Sequence, residues 1–70
     1  MNQFNLAGQP YITLDNLLKI EGICESGGRA KQVIASGAVS VDGSVETRKR
    51  CKIIAGQLVS LGDETIQVSE

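Results

Sequence analysis

The sequence predicts an α+β domain in which two short helices pack on one face of a small, mostly antiparallel β-sheet. Three observations carry this reading. Two segments with apolar residues at helical spacing come first, between Leu14 and Ile34. Short alternating segments follow, from Val39 to Val68, punctuated by Asp42-Gly43, Ala55-Gly56 and Gly62-Asp63. Helices grouped ahead of such a run of strands segregate to one side of an antiparallel sheet.

Each element has a local cause. The single Pro10 stands just before Tyr11-Ile12, a short apolar pair suited to an edge strand that leads into the first helix. Leu14, Leu17, Leu18 and Glu21 keep helical spacing, with Thr13 placed as N-cap and Gly22 as the stop. Ser26 is placed as N-cap of a second helix, whose inward stripe is Ala30, Val33 and Ile34 and whose end is Gly37. Helices this short do not persist alone, so their stripes must pack on each other and on the sheet. Val39-Ser40-Val41 runs into Asp42-Gly43, a dipeptide suited to a tight hairpin turn, and on into Ser44-Val45. Lys52 to Ile54, Gln57 to Leu61 and Thr65 to Val68 are the remaining strand candidates.

Seventy residues make one domain, 1–70, with a thin stability margin. With one Tyr, one Phe and no Trp, the core has to come from Leu, Ile, Val and Ala, and base stacking on an aromatic platform is nearly excluded. No apolar stretch is long enough to span a membrane, and Met1 to Asn5 lacks the pattern of a signal peptide, so a cytoplasmic location is expected. Cys24 and Cys51 are then expected free and reduced, and two thiols without His make a poor zinc site. Nothing calls for a cofactor, a metal or a small-molecule substrate. The absence of His, and of any evident base beside either thiol, argues against an enzyme. Asp15 and Glu21 do not share a helix face and form no carboxylate pair; Asp15 suits the N-terminal dipole end of its own helix.

The formal net charge of -1 conceals a strong asymmetry. Between Arg29 and Lys52 lie six basic residues against Asp42 and Glu46, a balance of +4, and everything outside that segment sums to -5. Four of the basic residues fall in Arg48-Lys49-Arg50-Cys51-Lys52. Such a run can be a solvated loop or the charge that protects an edge strand, but three adjacent cations exceed what edge protection needs. In extended form, Arg48 and Arg50 would face one side and Lys49 the other. A second anion-favouring feature is Ser26-Gly27-Gly28-Arg29, where a helix start offers free N–H groups, two glycines leave room for a phosphate, and Arg29 adds charge. The bland reading there is an ordinary cap. Lys31, two residues past Arg29, does not share its helix face.

Leu14-Asp15, Leu18, Gly22, Ser26, Ala30, Ile34, Gly37, Val39, Val41 and Asp42-Gly43 stand in an order and spacing that resemble the alpha-L RNA-binding motif, the S4-type domain named for a small-subunit ribosomal protein. Gly56-Gln57 resembles the family's Gly-Asp ahead of its last core strand, so the resemblance covers nearly the whole chain. Size and the Arg48 to Lys52 segment look most like small stand-alone bacterial members. The resemblance implies two helices on a mostly antiparallel sheet, with structured RNA bound across the helix pair and adjoining loop. The chain also departs from the pattern: Thr13 and Gly27 stand where the family commonly carries Arg, and Asp42 replaces its usual Asn.

The expected function is therefore a non-enzymatic RNA-binding module. Ser26, Gly27, Gly28, Arg29, Lys31, Arg48, Lys49, Arg50 and Lys52 are its expected contacts to phosphates of structured RNA, and association with the ribosome or with RNA processing is left open. A protein-interaction domain docking an acidic partner is the rival reading, and a redox or metal-linked switch through Cys24 and Cys51 ranks behind both.

Overall fold

A computed structural model of the chain describes residues 2–70. Two sheets and two helices make up the fold. The strand β1 (Asn2–Asn5) is followed by β2 (Ile12–Thr13), the helices α1 (Leu14–Ile20) and α2 (Gly27–Ala35), the hairpin β3 (Val39–Val41) and β4 (Ser44–Val45), then β5 (Lys52–Ile53), β6 (Leu58–Leu61) and β7 (Glu64–Ser69). The main sheet has the order β1-β7-β6-β3-β4, and β2 and β5 form a separate antiparallel ribbon.

By residue type the strands after the helices belong to one sheet. The structure takes β5 out of it and pairs Ile12 with Ile53 and Thr13 with Lys52. The main sheet is antiparallel throughout except for β1, which runs parallel to β7 with Asn2 opposite Ile66 and Asn5 opposite Ser69. No strand was expected at Asn2–Asn5. Three of its four residues are amides and only Phe4 packs against the core, so its place depends on a distant partner strand.

Both helices form where the periodicity puts them. Leu14, Leu17 and Leu18 are fully buried, as are Ala30 and Ile34 of α2, and Val33 packs against them half-buried. The Ser26 side chain accepts the Arg29 N–H at 3.1 Å, a working N-cap. Thr13 holds the N-cap position of α1 with extended backbone, but its side chain makes no capping bond. After each helix the chain turns at a glycine with positive φ, Gly22 at +75° and Gly37 at +85°.

The hairpin forms at the expected residues. Asp42 (φ 51°) and Gly43 (φ 85°) both occupy the left-handed region that a two-residue turn of this hand requires. Asp42 also accepts the Leu58 N–H on Oδ1 at 2.9 Å and donates its own N–H to the Leu58 carbonyl at 2.8 Å, tying the turn to β6. One buried cluster joins the layers: the α1 leucines, Ala30 and Ile34 meet Val39, Val59, Ile66 and Val68 of the sheet and Ile53 of the ribbon. Cys24, 4% exposed, fills this core as a small hydrophobe.

Candidate nucleic-acid interface

The basic run is built around an acidic residue. Beyond β4 the chain stays on the sheet edge through the Glu46 N–H, which donates to the Val39 carbonyl at 2.9 Å. The Glu46 carboxylate then accepts the Arg48 N–H at 3.0 Å and grips its guanidinium with two further bonds, Nε to Oε2 at 2.9 Å and Nη2 to Oε1 at 3.0 Å. This two-pronged geometry is the one that a planar guanidinium and a carboxylate favour. The side chain of Glu46 is 16% exposed and that of Arg48 77%, so the pair is half in water. The bonds from Arg48 hold the Glu46 carboxyl down at about 2.

From Arg48 to Cys51 the backbone makes a turn, closed by the Cys51 N–H on the Arg48 carbonyl at 3.1 Å. The segment is not extended, so the alternation expected of Arg48, Lys49 and Arg50 does not apply. The turn instead aims two carbonyls at the start of α1: that of Cys51 accepts the Leu14 N–H at 2.9 Å and that of Lys49 the Asp15 N–H at 3.1 Å. The third donor of this helix end, the Asn16 N–H, bonds the Asp15 carboxylate at 2.9 Å. The first-turn donors of α1 are thus consumed inside the protein, and Asp15, only 5% exposed, sits at the dipole end where the sequence placed it.

The basic loop consequently caps α1, and its backbone is fixed while its side chains face water. Lys49 and Arg50 are exposed and have no ion-pair partner among the described residues. Lys52 opens β5 and carries its Nζ over the Tyr11 ring, 4.9 Å from the centroid, a cation–π contact. Arg48, Arg50, Cys51 and Lys52 line an open depression of about 440 Å³. Burial, followed by the neighbouring Glu46, pushes the Cys51 thiol up. Burial also raises Cys24, against a smaller opposing pull from Arg29. Both cysteines are free thiols, and neither is activated as a nucleophile. Among the described residues no three metal-ligating side chains come together, and no helix is long and apolar enough to cross a membrane.

The other expected contacts lie on α2. Ser26, Gly28, Arg29 and Lys31 are exposed and Gly27 is half-buried. Ser26 Oγ takes the Arg29 N–H, and the Gly27 and Gly28 N–H groups have no acceptor among the described residues. A Cβ at Gly27 would meet nothing within 4 Å, and one at Gly28 only Ser26 Oγ at 3.9 Å, so neither glycine is demanded by packing. No hydrogen bond or ion pair joins the Ser26 to Lys31 group to the Arg48 to Lys52 group. The first follows the C-terminal end of α1 in the chain and the second is bonded to its N-terminal end, the helix being roughly 10 Å long at 1.5 Å per residue.

In the sequence Glu46 registers only as a subtraction from local charge, and nothing there signals its hold on Arg48. A carboxylate two residues before an arginine in a loop is too common a pattern to signal a clamp. The capping of α1 by two carbonyls left no trace in residue types at all.

The S4 domain family matches residues 4–69 of the chain. The YbcJ protein of Escherichia coli (strain K12) is 56% identical over 68 residues, covering 97% of both chains, and that of Shigella flexneri is equally similar. The solution structure of E. coli YbcJ, described as revealing an alfaL motif involved in RNA-binding, superposes with a TM-score of 0.78 at 54% identity, covering 100% of this chain and 89% of that one. The order of its elements, the helix pair on its sheet and the match along nearly its full length make this chain a member of the S4 domain family, with the alpha-L motif.

Proposed function

We propose that the chain is a cytoplasmic, non-enzymatic module that binds structured RNA by its phosphates. The observation that carries this reading is the turn at Arg48 to Cys51, which holds exposed Lys49 and Arg50 on a backbone bonded to α1 and leads directly into Lys52. Cations on a fixed frame lose less freedom on binding than cations on a loose loop. Arg48 is already engaged by Glu46 and meets phosphate only from its exposed side. Ser26, Gly27, Gly28, Arg29 and Lys31 supply a second contact, where free N–H groups and two small residues let a phosphate approach. The two groups sit on different elements, the first at the start of α2 and the second in the turn bonded to the start of α1, so they would meet separate phosphates of the RNA. Recognition of this kind reads shape and backbone with weak sequence preference. Similarity to YbcJ, whose structure is described as having a motif involved in RNA-binding, supports the reading. Association with the ribosome or with an RNA-processing assembly is the setting it fits.

Fluorescence anisotropy with a labelled RNA hairpin across a salt series tests it. Affinity should fall steeply with salt, and replacing Lys49 and Arg50 together by Ala should flatten the slope of log K against log salt by about 2. Binding that ignores salt, or that survives this double substitution, would rule the reading out. Capture of a single acidic protein, unaffected by ribonuclease, would favour a protein-docking role instead.

A further inference from the structure

We infer that the depression bordered by Gln9, Tyr11, Thr13 and Asn16 seats one unpaired base of the bound RNA, whose phosphate lies next door on Arg50 and Lys52. This rests on the RNA-binding reading above and extends it from phosphates to a base.

Two depressions flank the β2–β5 ribbon. One, about 440 Å³, is lined by the basic side chains, and the other, about 390 Å³, by Gln9 to Thr13 and Asn16. Thr13 and Lys52 are register partners across the ribbon, so the walls of the two sites come from paired residues. The Lys52 ammonium over the Tyr11 ring, 4.9 Å from its centroid, joins them through one contact. A base and its own phosphate are separated by a single sugar, a distance of the same scale.

The lining suits a base in particular. Tyr11 leaves 40% of its surface in water, an aromatic ring beside a cluster of cations. One such ring is no platform for a run of bases, but it suffices to stack one. Gln9 and Asn16 are exposed amides, each able to donate and to accept, as the edge of a base requires. Thr13 contributes to the wall of the depression, but its Oγ1 is shut off from water, so the polar contacts to a ligand fall to Gln9 and Asn16. Among the described residues no carboxylate lines either depression. The volume falls within the range of small-ligand sites and accommodates one nucleotide rather than a paired stem. An unpaired nucleotide reaches it at least cost, since its base turns out of the helix without breaking a pair.

The test compares two blunt RNA duplexes that differ only by a single-nucleotide bulge, read by anisotropy with the wild type, Tyr11→Leu and the Lys49→Ala/Arg50→Ala variant. Stacking of one base is worth roughly five- to a hundred-fold in affinity. The wild type should therefore prefer the bulged duplex by about tenfold, near the low end of that range. Tyr11→Leu should lose that preference and bind the two duplexes alike. In NMR spectra of the wild type, the bulged duplex should move the Tyr11 ring and the Gln9 and Asn16 side-chain amides further than the paired one does, a readout independent of how well the variant folds. Equal affinity of the wild type for both duplexes, or a preference that survives Tyr11→Leu in a folded protein, overturns the base site. If the double variant weakens both duplexes while Tyr11→Leu changes neither, the base site falls and the phosphate reading stands. If the wild type binds neither duplex, both fall.

Discussion

The two helix starts in this molecule are treated in opposite ways. At α1 the N–H groups of Leu14, Asp15 and Asn16 are all taken, two by carbonyls of the basic loop and one by the Asp15 carboxylate. At α2 the Ser26 hydroxyl takes only the Arg29 N–H, and those of Gly27 and Gly28 stay open. The same feature, a row of orphan donors, is spent on structure in the first case and left toward solvent in the second. The closed end gains a rigid mount for Lys49 and Arg50, whereas the open end offers its own backbone. One helix start is thus closed by a cationic loop, and the other, capped by Ser26 alone, keeps two of its donors free.

The largest effect expected from breaking this contrast comes at Ile53. Its side chain is fully buried and holds β5, hence the end of the basic loop, onto the core. Ile53→Ala should cost about 2–5 kcal/mol, measured by urea denaturation. That is a large share of what a domain of this size has, and the hydrogen-exchange protection of Leu14 and Asp15 should fall with it. A smaller effect of opposite sign is expected at the open helix start. Gly27→Ala adds a methyl to free space at a backbone angle that alanine adopts, so stability should rise by about 0.4–1 kcal/mol. RNA affinity should fall in the same variant, because the methyl crowds the free N–H groups. A stability gain with unchanged affinity would show that the α2 start is only a cap.

The least dramatic change is in pH dependence. The carboxyl of Glu46 drops from 4.5 to about 2 in the folded protein, chiefly through its side-chain bond to Arg48. A depressed carboxyl adds stability above its unfolded value, and that contribution disappears as pH falls toward the folded one. Glu46→Gln should therefore flatten the stability curve between about pH 4.5 and about pH 2 and leave its slope near neutrality unchanged, as thermal melts across that range would report.

What the sequence disclosed, and what it hid, follows the range of the forces involved. The Asp42-Gly43 hairpin and the Ser26 cap rest on bonds between residues a few positions apart, and both formed where the residue types place them. The helix stripes were equally legible, since Leu14, Leu17, Leu18, Ala30 and Ile34 are fully buried. Thr13 was a fair candidate cap by type, yet the chain reaches α1 as a paired strand and the loop carbonyls arrive first. β1 was invisible because amide-rich Asn2–Asn5 has little strand preference of its own and is held by β7. The candidate site was legible as a composition: the basic residues were all in view. Its frame was not, since the bonds from Leu14 and Asp15 to Cys51 and Lys49 involve only backbone atoms that every residue shares.

The parallel pairing of β1 with β7 bears on the order of assembly. Asn2 meets Ile66, so that contact closes nearly the entire chain into a loop, whereas Ile12 meets Ile53 across one about two thirds as long. Long closures are entropically late events, and topology of this kind slows folding more than it weakens the fold. The basic turn and its helix can therefore dock while the N-terminal strand is still searching. A transient release of that strand in the finished protein breaks none of the hydrogen bonds that hold the turn to α1.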